Sequence, residues 1–226
     1  MLNNKEDKNV VIVRFARAAT KDVPLFSIIA SAQSGITSVE QLKGVKIGIS
    51  EGTIIAYLTD RMLQAEGFTP GDIATVAVPK IPDRVTLLSN GDLEAGTMPE
   101  PVASLLALQG ASVVLADNKY PEYSNSTIAF RNEFVENNPD AVKAFLAAIE
   151  EAVQTINADP AKYETTLIDN NILPVPLQGK FQVPGFVTAG VPSQEQYADV
   201  LAWAKEKDLI SVDVPYDQCI TADYLP

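Results

Sequence analysis

Residues 45–65 read VKIGISEGTIIAYLTDRMLQA, and this stretch carries the pattern that decides the fold. Residues 45–49 are a short apolar run without helical period, which predicts a buried strand. A polar turn follows at 50–53, and residues 54–65 then place apolar side chains at helical spacing before a stop at Gly67. A strand, a loop and a helix in this order predict one unit of an α/β sheet.

The same order continues along the chain. By the same criteria we predict strands at 10–16, 25–30, 73–78, 93–97, 112–116 and 126–130, and helices that begin near Pro82, Pro101, Pro139 and Ser193. Alternation of strands and helices is typical of a mostly parallel sheet with helices on both faces. The predicted fold class is therefore α/β.

Composition limits what the protein can contact. The chain has 226 residues, of which 46% are hydrophobic, so it can bury a proper core in one large domain or two small lobes. No apolar run approaches the roughly 18 residues of a membrane span, and the polar first eight residues predict that a signal peptide is absent from this chain. The net charge of -12 argues against binding to nucleic acid, because phosphate contacts need clustered Lys and Arg.

The chain contains no histidine and a single cysteine, Cys219. The commonest general base and the commonest ligand of transition metals are therefore missing. A disulfide cannot form within the chain. We expect no catalytic residues, no cofactor and no metal site.

Four segments resemble the type II periplasmic solute-binding proteins of ABC importers, in the branch of alkanesulfonate, nitrate and thiamine-precursor binding proteins. They are residues 34–44 (SGITSVEQLKG), 47–53 (IGISEGT), 90–95 with 99–101 (NGDLEA and PEP), and 137–145 (NNPDAVKAF). The resemblance covers essentially the whole chain. It implies an extracytoplasmic protein that captures a small polar or heteroaromatic solute between two lobes and delivers it to a membrane permease.

The resemblance also implies how the chain is divided. Lobe one would comprise 1–30 and 131–226, and lobe two would comprise 36–123, with crossing segments at 31–35 and 124–130. Members of the family begin with a βαβαβ segment that this sequence does not show, so lobe one is expected to be incomplete. Its apolar faces would then be covered by a second copy, giving a homo-oligomer, or by a separately supplied segment.

The first candidate site is the loop of Ser50, Glu51, Gly52 and Thr53, between a strand and a helix. Backbone N–H groups at a helix N-terminus, together with the two hydroxyl groups, could hold an anionic or polar group of a ligand. The alternative is ordinary capping, in which the hydroxyl groups satisfy the helix itself. Ligands of open α/β sheets lie at the carboxyl ends of strands, which favours binding.

Five more residues are candidates for contacting the solute. Thr97 and Glu100 follow another predicted strand, although a Glu in the first turn of a helix also stabilises the helix dipole. Arg84 could clamp a carboxylate, sulfonate or phosphate, or could form a surface salt bridge. Ser34 and Ser126 lie on the two predicted crossing segments, where small polar residues also serve as hinges.

Two other functions stay open from the sequence. Some relatives of this fold are enzymes, and a lyase could use a carboxylate pair such as Glu51 and Glu100. A ligand-sensing domain of a regulator would share the two lobes, but no basic segment for DNA binding is present.

Overall fold

The computed structural model describes residues 10–226, which fall into two compact units. The first unit comprises 10–18, 125–163 and 183–226, and the second comprises 19–124 and 164–182. No helix within residues 10–226 combines the length and the apolar character needed to cross a membrane.

Seven strands and seven α-helices make up the regular structure of residues 10–226. The strands are β1 (Val10–Ala18), β2 (Phe26–Ala30), β3 (Lys46–Ile49), β4 (Ala74–Ala77), β5 (Ala95–Pro99), β6 (Ser112–Ala116) and β7 (Asn125–Arg131). The helices are α1 (Ile54–Ala65), α2 (Ile81–Asn90), α3 (Val102–Leu108), α4 (Asn132–Asn137), α5 (Pro139–Ala158), α6 (Glu164–Asp169) and α7 (Gln194–Glu206).

The second unit is built on a five-stranded sheet of order β4-β3-β5-β2-β6. β3 pairs in parallel with β4 and β5, whereas β2 is antiparallel to both β5 and β6. The sheet is thus mixed, with β2 running against the other strands. The sequence predicted parallel pairing from helical crossovers, but only a short 3-10 turn at Val39–Leu42 lies between β2 and β3, so no such crossover fixes the direction of β2.

Helices cover both faces of this sheet. On one face, Leu88 of α2 and Leu106 of α3 pack with Ile29 and Met98 in a buried cluster. Successive residues of a strand point to opposite faces, so Thr97 points away from that cluster. Its buried hydroxyl group hydrogen-bonds to that of Thr59, 2.6 Å away on α1. Helix α1 therefore lies on the opposite face from α2 and α3.

The start of β2 is fixed by a buried carboxylate. Asp117, directly after β6, is fully buried and accepts hydrogen bonds from the backbone N–H groups of Leu25 (2.9 Å) and Phe26 (3.0 Å). It also accepts a hydrogen bond from the hydroxyl group of Ser124. Burial raises the pKa of Asp117, while these donors favour its charged form.

The first unit contains the antiparallel pair β1 and β7. Val13 of β1 packs with Val135, Val142 and Leu146 from α4 and α5 in a buried cluster. The other edge of β1 pairs with the C-terminal segment, where the N–H of Ile12 donates to the carbonyl oxygen of Cys219 at 2.7 Å. Both edges of β1 are therefore occupied.

The units differ from the predicted lobes in two places. β2 was predicted in lobe one, but it lies between β5 and β6 in the sheet of the second unit. Residues 164–182 were also predicted in lobe one and cluster with the second unit. The boundaries between the units depend on pairing between strands that are far apart in the sequence, and local sequence patterns do not predict such pairing. The part of the predicted lobe at 1–9 lies outside the described residues.

An ion pair is buried in the first unit. Arg14 on β1 is fully buried, and its Nη2 atom lies 2.5 Å from Oε2 of Glu150 on α5. The guanidinium also donates to the carbonyl oxygens of Phe15 (2.6 Å) and Val187 (3.2 Å), while its Nε atom has no acceptor among residues 10–226. Glu150 thus supplies the counter-charge of a cation that water cannot reach.

We predict that Glu150→Gln lowers the free energy of unfolding by about 3 kcal/mol, because a buried guanidinium loses its counter-charge. Glu151→Gln, one residue along α5 and exposed, is the matched control and should change it by less than about 0.5 kcal/mol. Urea unfolding followed by circular dichroism measures both. Equal effects of the two substitutions would contradict a stabilising role for the pair.

Candidate functional site

Three parallel strands of the second unit end at one edge of the sheet. β3 leads into Ser50, β4 into Val78, and β5 into Glu100. Ligand sites of open α/β sheets occur at such carboxyl ends. The candidate site lies at the carboxyl ends of β3, β4 and β5.

The guanidinium of Arg84 connects these three strand ends. Arg84, on the first turn of α2, donates from Nη1 to the carbonyl oxygen of Thr97 at 2.5 Å. Its Nε and Nη2 atoms donate to the carbonyl oxygen of Val78 at 3.1 and 2.6 Å, and Nη2 also donates to Oγ of Ser50 at 2.8 Å. One side chain therefore ties together β5 and the segments that follow β3 and β4.

This cation is buried without a carboxylate partner. Arg84 has no exposed surface, and none of its contacts within residues 10–226 is an ion pair. Burial lowers the pKa of Arg84, but a guanidinium stays protonated in proteins. The site thus holds a positive charge that is compensated by backbone and hydroxyl dipoles alone.

Two glycines make room for the side chain. A Cβ atom on Gly96 of β5 would lie 3.1 Å from Cδ of Arg84. A Cβ atom on Gly48 of β3 would lie 2.6 Å from Cδ2 of Leu93 and 3.4 Å from Cγ of Arg84. The stem of Arg84 therefore lies directly over the backbone of two strands, which explains glycine inside each of them.

The loop at 50–53 lies beside this charge. The hydroxyl group of Ser50 donates to the carbonyl oxygen of Pro79 at 3.0 Å and accepts from Arg84, so the fold already uses it. Thr53 caps α1, because its Oγ1 atom accepts the N–H of Ile55 at 3.1 Å. Gly52 adopts a left-handed conformation with a φ angle of 67°.

Backbone donors of this loop point to a binding role. The N–H groups of Glu51 and Gly52 have no hydrogen-bond acceptor within residues 10–226, whereas the N–H of Thr53 closes the turn onto Ser50. Helix α1 begins directly after them and carries no acidic residue in its first turn. The positive end of the helix dipole, open N–H groups and a buried guanidinium therefore coincide, and this combination suits an anion.

The structure brings some of the predicted residues together and separates others. Ser50, Arg84 and Thr97 form the connected group described above. The carboxylate of Glu100 accepts the N–H of Ser104 at 3.3 Å, which places it over the start of α3. Ser34 closes its own turn by donating to the carbonyl oxygen of Ser31 at 2.7 Å. Ser126 belongs to the first unit, where its exposed hydroxyl group lies 3.5 Å from the carbonyl oxygen of Arg17.

Sequence reasoning missed several parts of the site. The carbonyl oxygens of Val78 and Pro79 carry no side-chain signal, and the partner of Thr97, Thr59, was read only as part of an amphipathic helix. Gly48 was a usable signal, because a glycine within a strand indicates close approach of another group. Within residues 10–226, no group of three Asp, Glu or Cys side chains is arranged to hold a metal ion.

Comparison with known sequences finds a family model and several similar proteins. A family model described as NMT1/THI5 like matches residues 2–163. A protein of Brucella abortus (strain 2308), named as a binding protein, is 33% identical over 146 residues, which are 60% of this chain and 43% of that protein. A protein of Bacillus subtilis (strain 168), named for binding aliphatic sulfonates, is 29% identical over 128 residues, which are 56% of this chain and 38% of its own length. The match thus spans less than half of either relative.

Solved structures show the same fold. The periplasmic aliphatic sulphonate binding protein SsuA from Escherichia coli superposes with a TM-score of 0.80 at 20% identity, covering 96% of this chain and 75% of that chain. The desulfurization enzyme DSZB superposes with a TM-score of 0.73 at 15% identity, covering 99% of this chain and 80% of that chain. The predicted α/β fold of periplasmic binding proteins, and the predicted branch, are confirmed.

We predict that Arg84→Met lowers the free energy of unfolding by about 2 to 4 kcal/mol, because the buried carbonyl oxygens of Val78 and Thr97 lose their donors. Lys80→Met, at the exposed residue just before α2, is the control and should have little effect. Chemical denaturation of both variants tests this. Unchanged stability of the Arg84 variant would show that the strand ends do not depend on the guanidinium.

Proposed function

The chain belongs to the NMT1/THI5-like family, and we propose that it acts as the solute-binding component of an ABC importer whose solute carries an anionic group. The observation that carries this proposal is the buried guanidinium of Arg84, which has no carboxylate partner within residues 10–226, beside a loop with open N–H groups. An anion bound there would be attracted by the positive charge of Arg84. It would also accept hydrogen bonds from the loop N–H groups that have no other acceptor.

The physical chemistry of the loop favours charge recognition by the backbone. The hydroxyl group of Ser50 already donates one hydrogen bond and accepts another, so recognition falls to the N–H groups of Glu51 and Gly52. Each charge-assisted hydrogen bond contributes about 1.5 to 3 kcal/mol. The dipole of α1 adds about 0.3 to 1 kcal/mol. Several such bonds are enough to select an anionic group from water.

The named relatives support a sulfonate as the anionic group. The Bacillus subtilis relative is named for aliphatic sulfonates, and the Escherichia coli structure is that of a sulphonate-binding protein. A sulfonate presents three acceptor oxygens, two of which can accept from the adjacent N–H groups of Glu51 and Gly52. The rest of the solute is small and polar or heteroaromatic. Its partner in this proposal is a membrane permease, and the protein acts outside the cytoplasm, as the periplasmic neighbour does.

The proposal assigns binding without a chemical reaction. The Brucella abortus and Bacillus subtilis relatives are named for binding, whereas the enzyme DSZB shares the fold at 15% identity. Of the two carboxylates that a lyase could use, that of Glu100 accepts the N–H of Ser104 at the start of α3, and Glu51 is exposed on its loop.

We predict that small alkanesulfonates raise the melting temperature of the protein and bind with measurable heat in isothermal titration calorimetry. A ligand that binds only the folded state stabilises it by about 2.7 kcal/mol at a hundredfold excess over Kd. Gly52→Asp should weaken binding at least tenfold, because a carboxylate then competes for the same donors. Gly52→Asn is the matched control, since Asn has the same shape, carries no charge and also tolerates the left-handed conformation.

Two outcomes would refute the anion site. One is binding of a neutral or cationic solute in preference to every anion in a panel of sulfonates, nitrate, phosphate and carboxylates. The other is an equal loss of sulfonate affinity in the Asp and Asn variants, which would trace the effect to shape and not to charge.

A further inference from the structure

Two buried threonine hydroxyl groups lie behind the loop of residues 50–53, the anion loop. Thr59 on α1 and Thr97 on β5 have no exposed surface, and their Oγ1 atoms lie 2.6 Å apart. The hydroxyl group of Thr59 also donates to the carbonyl oxygen of Ile55 at 2.7 Å. Because a hydroxyl group carries one proton, the proton between the two threonines comes from Thr97. Both protons then have an acceptor, and the pair links β5 to the first turn of α1.

The same turn of α1 is bonded to the anion loop. The N–H of Ile55 donates to Oγ1 of Thr53 at 3.1 Å, and the hydroxyl group of Thr53 donates to the carbonyl oxygen of Ser50 at 2.7 Å. Ile55 thus accepts a hydrogen bond from Thr59 and donates one to the loop. A shift of this turn would therefore move the loop with it.

Arg84 closes these hydrogen bonds into a circuit. Its guanidinium donates to the carbonyl oxygen of Thr97 at 2.5 Å and to the hydroxyl group of Ser50 at 2.8 Å. The residues that follow one another around the circuit are Ser50, Arg84, Thr97, Thr59, Ile55 and Thr53. Within it, the hydroxyl pair is the link that joins α1 to β5.

Packing alone does not require hydroxyl groups at these two positions. Valine has nearly the shape of threonine and would be buried there without a polar atom. A buried hydroxyl group is costly unless it is hydrogen-bonded, so Thr59 and Thr97 favour the alignment of α1 on the sheet in which their oxygen atoms meet. A fully bonded polar pair in the interior makes such an alignment rigid.

We propose that Thr59 and Thr97 are positioning residues of the anion site. Their hydroxyl pair fixes the first turn of α1 against β5. It thereby sets the distance between the guanidinium of Arg84 and the N–H groups of Glu51 and Gly52, which act on the same anionic group. This proposal rests on the proposed function, and it places Thr97 behind the loop, where it acts without touching the solute.

Removal of either hydroxyl group tests this role. Thr97→Val and Thr59→Val should each weaken the binding of ethanesulfonate about fivefold in isothermal titration calorimetry, which is within the range for residues that act through others. The double variant should lose no more than either single variant, because both substitutions remove the same link. Thr97→Ser keeps the hydroxyl group and should recover most of the wild-type affinity.

The matched control is Thr155→Val on α5 of the first unit. Thr155 is exposed, and its hydroxyl group donates to the carbonyl oxygen of Glu151 at 2.7 Å, as that of Thr59 does to Ile55. Its removal should change the affinity for ethanesulfonate by less than about twofold. Urea unfolding establishes that every variant is folded under the conditions of the titration.

A measurement without ligand separates this proposal from the proposed function. The amide ¹H and ¹⁵N resonances of Glu51 and Gly52 should shift in both valine variants and return toward their wild-type values in Thr97→Ser. A wild-type protein that binds no anion would refute the proposed function. The amide shifts would still decide whether the hydroxyl pair positions the loop.

Three results would overturn the proposal. Lower stability of both valine variants, with unchanged ethanesulfonate affinity and unchanged amide resonances, would limit the pair to a structural role. Full affinity of Thr59→Val beside a loss in Thr97→Val would assign Thr97 to contact with the solute. Additive losses in the double variant would mean that the two threonines act separately.

Discussion

The second unit depends on one buried cation. The guanidinium of Arg84 bonds to the carbonyl oxygens of Val78 and Thr97 and to the hydroxyl group of Ser50, so it joins the ends of three strands. A buried charge is costly unless dipoles surround it. The strand ends must therefore present their oxygens inward, and glycines must stand beneath the arginine stem.

This arrangement shapes how the loop after β3 can recognise a ligand. Because the fold uses the hydroxyl groups of Ser50 and Thr53, the groups left for a ligand are backbone N–H donors. Such donors select ligands by charge and shape more than by the identity of a particular functional group. The identity of the rest of the solute must therefore be set by other side chains, and the loop supplies the attraction for an anion.

The sequence predicted local structure well and long-range structure poorly. Helix α1 begins at Ile54 and ends at Ala65 as predicted, because its apolar period, its Thr53 cap and the following Gly67 are all local signals. The direction of β2 and its place in the second unit depend on pairing with β5 and β6, which local patterns do not encode. Arg84 was predicted to clamp an anionic group or to form a surface salt bridge. The salt bridge was wrong, because the side chain is buried and bonds to carbonyl oxygens that the sequence cannot display.

Both units contain buried polar groups that need hydrogen-bond partners, and the two units supply these partners in different ways. In the second unit, polar backbone groups at strand ends are satisfied from within by Arg84 and Asp117, which fixes the edge as a rigid frame around the loop. In the first unit, the buried guanidinium of Arg14 is satisfied by the carboxylate of Glu150 and by the carbonyl oxygens of Phe15 and Val187. A carboxylate neutralises the charge of Arg14, whereas the dipoles around Arg84 leave its positive charge beside the loop that would bind an anion. Substitutions in the two regions should therefore act independently on the stability of the first unit and on solute binding.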